Sequence, residues 1–173
     1  MRLARSSRFV TALIAASAVA VPSAGQSGDI DRDTIPDARD SCPREAASKS
    51  SAAGNGCPGE GPAEVTFIGF QGTEDGGGLV FVQLTDSVKV QAASSPSELT
   101  FLMKGARVTI RNNRNLLPLD AFHPALSSAR LVADKDGERL VLRLKAPSTA
   151  TYRVVRQGHG AVLEVAVPAQ AAK

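Results

Sequence analysis

From Val65 to Val167 apolar and polar residues mostly alternate and no stretch sustains a helical period, so the chain predicts strands with one face turned to a core. Nine segments carry the pattern: EVTFIGF (64–70), GLVFVQLT (78–85), VKVQAA (88–93), ELTFLMK (98–104), ARVTIR (106–111), SARLVAD (128–134), ERLVLRLK (138–145), TYRVVRQ (151–157) and AVLEVAV (161–167). EDGGG (74–78), KDG (135–137) and GHG (158–160) supply residues that accept positive φ and close hairpins. Short antiparallel strands at this spacing argue for a sandwich or a barrel. In ERLVLRLK, Leu140, Leu142 and Leu144 face one way and Arg139, Val141, Arg143 and Lys145 the other, so a single side of that strand is core. In AVLEVAV, Leu163, Val165 and Val167 point inward and Glu164 outward, within reach of an arginine on a neighbouring strand. The stretch 112–126 has two prolines and no alternation. It is expected to cross between sheets or wrap an edge, with Leu116, Leu117, Leu119 and Phe122 tucked onto the core.

Before Val65 the pattern disappears. Residues 1–25 have the layout of a secretory signal: Arg2, Arg5 and Arg8, an apolar run from Phe9 to Val21, then Pro22 and small residues. The run is shorter than the roughly 20 residues a bilayer span needs, so removal is expected rather than anchoring. The first cysteine comes at position 42, too late to carry a lipid after the signal. The mature product is therefore expected to be exported, periplasmic or extracellular, without a membrane span. Export changes the charge balance: all 17 acidic residues follow position 25 while three of the 20 basic ones precede it, which leaves 17 against 17. That neutrality removes the argument for nucleic acid. The division expected is signal 1–25, an acidic segment 26–58, a linker 59–63, a β module 64–168 and a tail 169–173.

The acidic segment concentrates its chemistry in GDIDRDTIPDARDSCP, where aspartates stand at 29, 31, 33, 37 and 40. Ca²⁺ takes six to eight oxygen ligands in irregular geometry, which suits aspartates at alternate positions of a tight loop. In EF-hand loop order, Asp29, Asp31 and Asp33 occupy positions 1, 3 and 5, Ile35 offers a backbone carbonyl at 7, and Asp37 and Asp40 fall at 9 and 12. Thr34 stands at position 6, where the sharp turn normally requires glycine. An aspartate at position 12 also reaches less far than the usual glutamate, which favours a different loop closure. The competing reading is an acidic spacer whose charges are merely solvated. Cys42 and Cys57 are 15 apart. In an oxidising compartment they most simply pair with each other, adding about 3 kcal/mol by loop entropy, the alternatives being free or intermolecular thiols.

The run from Asp29 to Pro43 resembles a thrombospondin type 3 repeat, and AGNGCPG is similar to the close of a second unit that kept Cys57 and Pro58 but lost its aspartates. The resemblance implies one calcium site in a disulfide-tied segment acting as a stiff stalk, of the kind found in secreted and cell-surface proteins. The β module resembles an AMIN domain. The features are EVTFIGF, GLVFVQLTDSVKVQ, ELTFLMKGARV, and RNNRNLLPLDAFHPALSSARLV leading to GERLVLRLKAPSTATYRVVRQGHGAVLEVAV. This implies an all-β fold, an antiparallel β-sandwich of about nine strands, that binds peptidoglycan or another envelope component; it brings no catalytic residues with it.

Catalysis is not expected. His123 and His159 lie in turn-rich text outside any metal or nucleophile motif, and His123 reads as a surface loop residue. Candidate ligand contacts are Arg107, Arg111, Asn113, Arg114, Arg139, Arg143, Arg153 and Arg156, because guanidinium forks match carboxylates and amides suit sugar hydroxyls. The competing reading is that these arginines solvate the outer faces and offset Glu138 or Glu164. The function expected is a non-catalytic envelope-binding protein, with an adhesion or assembly module docking a protein partner as the alternative.

Overall fold

The computed structural model describes residues 28–49, 55–59 and 61–169. The signal-like segment and the tail beyond residue 169 lie outside them. Ten strands follow in chain order: β1 (Ala63–Gly72), β2 (Gly78–Leu84), β3 (Val90–Ser94), β4 (Glu98–Lys104), β5 (Ala106–Arg107), β6 (Leu117–Pro118), β7 (Leu126–Asp134), β8 (Gly137–Leu144), β9 (Thr151–Gln157) and β10 (Gly160–Val167). They form two five-stranded sheets, one in the order β5-β1-β2-β10-β9 and the other β3-β4-β8-β7-β6. Every named pairing is antiparallel except β1 with β5. The fold is the all-β sandwich expected, with ten strands rather than nine. Among the described residues no helix is long and apolar enough to cross a membrane.

Alternation decides what the sheets bury. Val80, Val82 and Leu84 of β2, Leu99, Phe101 and Met103 of β4, Leu140 and Leu142 of β8, and Leu163, Val165 and Val167 of β10 meet in one apolar core. Each such side chain contributes roughly 1.5–3 kcal/mol. Gly137, at φ 153°, opens β8 where a Cβ would run into the Met103 carbonyl, so the β7–β8 turn can close tightly against the end of β4.

Several expectations need correction. ARVTIR is strand only at Ala106–Arg107, because the chain leaves β4 for the opposite sheet, pairs briefly beside β1, and turns into a 3₁₀ helix at Arg111–Arg114. The stretch 112–126 does wrap an edge, as β6 alongside β7, but of the four residues expected to tuck in, Leu119 enters the core and Leu117 packs against it. Leu116, just before β6, is 57% exposed, and Phe122, in the turn after it, 69%. Val141, on the outer face of β8, is nevertheless buried, as is Leu102 on β4. Arg139 lies opposite Leu102 and Arg130 opposite Val141, so long basic stems border these apolar residues.

The acidic segment does not stand off as a stalk. It lies along β9, the edge of the first sheet: Glu45 forms a parallel bridge with Val154, whose amide donates to the Arg44 carbonyl (2.6 Å) and whose carbonyl accepts the Ala46 amide (2.9 Å). The unpaired backbone groups of an edge strand invite this addition.

Candidate metal centre

Local hydrogen bonding explains why alternate aspartates curl this segment. The Asp33 amide donates to Asp31 Oδ1 (3.2 Å), the Ile35 amide to Asp33 Oδ1 (2.8 Å) and the Cys42 amide to Asp40 Oδ1 (2.7 Å). Each is an Asx turn, in which a short carboxylate captures the backbone two residues on. Arg32 and Thr34, between the aspartates, take φ of 60° and 80°, and the Thr34 amide donates back to Asp29 Oδ2 (3.1 Å). Position 6 of the loop thus adopts the left-handed conformation the motif requires, with a β-branched residue in it.

The turns bring carboxylate oxygens of Asp29, Asp31 and Asp33 within 4.8 Å of one another. Asp31 is fully buried, and among the described residues its Oδ2 has no hydrogen-bond partner; neither do the buried Oδ1 of Asp29 and Oδ2 of Asp40. Burial first, then the neighbouring charge of Asp33, with smaller effects from Asp40 and Asp29, pushes the Asp31 carboxyl up to about 7. One buried acid crowded by three other carboxylates, with one oxygen each of Asp29, Asp31 and Asp40 free of donors among the described residues, forms with them an all-oxygen donor set suited to a hard cation.

The six residues expected to ligate do not behave alike. Asp29, Asp31 and Asp33 converge, and Asp40 stands close enough to act on Asp31. Asp37 instead closes the loop: its Oδ1 accepts the Ile30 amide (3.0 Å) and its own amide donates to the Gly28 carbonyl (2.7 Å). Ile35 is held through its amide by Asp33. Cys42 and Cys57 form the expected disulfide. It carries Gly56, at φ 81°, against Asp40, where a Cβ would collide with the carboxylate.

Two further residues matter that the sequence reading passed over. Glu45, buried between the edges of both sheets, accepts the Val90 amide on Oε1 (3.0 Å) and the Tyr152 hydroxyl (3.5 Å); burial holds its carboxyl above the usual range. Asp86 accepts the Lys49 amide and pairs with Arg156 (3.3 Å). Neither carries a local signal, because their partners lie 45 and 70 residues away.

The arginine candidates scatter. Arg114 pairs with buried Glu138 (2.5 Å), Arg153 with Glu164 across β9 and β10 (2.7 Å), Arg139 with Asp134, and Arg156 with Asp86. Buried Asn113 donates to the Val65 carbonyl (3.3 Å). Arg107, Arg111 and Arg143 are exposed and remain available to a ligand. His123 is 2% exposed, which corrects its reading as a surface residue. Its Nδ1 accepts the Ala125 amide, and burial lowers its pKa although the nearby Val167 carbonyl acts the other way without meeting hydrogen-bond geometry at Nε2. His159 is exposed in the β9–β10 turn.

No family model matches this chain, and neither a curated protein nor a solved structure matches it.

Proposed function

We propose that this is an exported, non-catalytic protein of the cell envelope, in which a calcium-binding segment is joined to an AMIN-like sandwich that binds peptidoglycan or an envelope protein. The observation that carries the calcium part is the convergence of Asp29, Asp31 and Asp33 around the fully buried Asp31, whose Oδ2 has no partner. Asp29, Asp31, Asp33 and Asp40 would hold the ion, which supplies the positive charge that lets four carboxylates stay ionised together. Oxygen-only donors in an irregular loop favour Ca²⁺ over Zn²⁺, which prefers nitrogen and sulfur, and over Mg²⁺, which demands a strict octahedron. Titration calorimetry tests it: heat on adding Ca²⁺, weaker with Mg²⁺, and none for Asp31→Asn supports the site. Equal proteolysis of residues 26–62 in calcium and in chelator counts against it.

The envelope part is supported by three exposed arginines without an ion-pair partner among the described residues, Arg107, Arg111 and Arg143, whose guanidinium groups suit the carboxylates of peptide stems. Sedimentation with purified sacculi tests it. Retention above background that falls when the three become alanine supports wall binding, and no retention refutes it.

One observation favours the second reading, a protein partner. Among the described residues β3 has a neighbour on one side only, and its exposed Ala92, Ala93 and Ser94 border a groove of about 300 Å³ lined also by Leu99 and Phe101. Small uncharged residues on a strand edge leave room for an added strand.

A further inference from the structure

We infer that the carboxylate cluster is a metal-controlled latch that closes the side of the sandwich between β9 and β3. The inference rests on the calcium reading above and extends it from a site to what the site governs. Two of the three converging aspartates have a second attachment. Asp31 presents its carboxylate to the cluster while its backbone carbonyl accepts the Arg156 amide of β9 (2.8 Å). Asp33 offers one carboxylate oxygen to the same cluster, and its Oδ2 accepts the Ala47 amide (3.0 Å). Ala47 directly follows Glu45 and Ala46, which bridge Val154 of β9, and the Glu45 carboxylate reaches across to the Val90 amide of β3. The chain between the cluster and the seam therefore has few independent ways to move.

The direction of the coupling follows from electrostatics. With a divalent cation among them, the carboxylates are held together, which keeps the Asp31 carbonyl and Asp33 Oδ2 aimed at Arg156 and Ala47. With the cation removed, the crowded negative oxygens repel one another, and the loop opens most readily by moving those two residues outward. The Glu45 bridge then loses its anchor, and the β9 and β3 edges are bared along a groove that already begins beside Arg44. The coupling is reciprocal: if the cation favours the closed Glu45 bridge, then weakening that bridge, which touches none of the carboxylate oxygens of the cluster, lowers metal affinity in turn.

Hydrogen exchange on the full chain, with Ca²⁺ and with chelator, reads the latch at the Val90, Val154 and Arg156 amides, with Leu142 in the core as reference. Calorimetry on the same samples reads binding. The expectation is exchange about tenfold faster at the three seam amides after chelation with Leu142 unchanged, and Ca²⁺ affinity reduced roughly five- to tenfold in Glu45→Gln. Ca²⁺ binding with unchanged seam exchange overturns the latch and leaves the calcium site standing. A rise shared equally by Leu142 also overturns it, since the metal would then stabilise the domain as a whole. Absence of Ca²⁺ binding overturns the calcium reading and the latch with it.

Discussion

Thr34→Gly isolates one local conflict between the chain's sequence and its fold. Thr34 sits at φ 80°, its amide bonded to Asp29 Oδ2, its side chain exposed and outside the core. A left-handed conformation costs a residue with a Cβ roughly 1–2 kcal/mol. Glycine removes that strain and retains the amide, but its freer unfolded chain returns about 0.5–1 kcal/mol. The net gain expected is about 0.5–1 kcal/mol, or roughly 2–5 °C in Tm for a domain of this size. Because the strained turn lies between Asp33 and Ile35, relaxing it also pre-forms the loop, so Ca²⁺ affinity should rise about two- to fivefold. Differential scanning calorimetry and calcium titration on wild type, Thr34→Gly and Thr34→Ala measure both. Thr34→Ala keeps the Cβ and should stay near wild type. If glycine lowers Tm, or alanine matches it, strain at this position does not limit the loop.

Asp31→Asn removes a buried charge crowded by three others, so the calcium-free protein should gain about 1–3 kcal/mol at pH 8 in urea melts, while stabilisation by added Ca²⁺ disappears; loss of stability in both conditions would contradict the electrostatic account. The Asp31 carboxyl titrates near 7 in the folded chain, above its ordinary 3.8, so folding holds its proton more tightly. Stability in chelator should therefore fall as pH rises from about 4 to about 7 and level off above, by something on the order of 2 kcal/mol after solvent screening, and saturating Ca²⁺ should flatten the slope; a chelated protein that gains stability over that window refutes the assignment. Reducing the Cys42–Cys57 disulfide should lower stability by about 3 kcal/mol and weaken Ca²⁺ binding by freeing Gly56 from Asp40; calorimetry before and after reduction decides, and unchanged affinity would separate the bridge from the site.

What could be read along the chain was whatever is encoded between near neighbours. Period-two alternation located β4 and β9 to the residue, because a strand's two faces are settled by adjacent side chains. The outward Glu164 implied an arginine on a neighbouring strand, and the β9–β10 register makes it Arg153. The alternate aspartates were legible too, as Asx turns act over two residues. Tertiary structure alone decided that β5 leaves for the opposite sheet, that β6 is a strand at all, and that Asp37 closes the loop while Asp29, Asp31 and Asp33 converge. It also decided that a glutamate in the unpatterned text REAASK seals the seam between two sheet edges. Such choices depend on which backbone groups remain unpaired once the sheets have formed, and that is a property of strands 45 and more residues away rather than of the residues flanking Glu45.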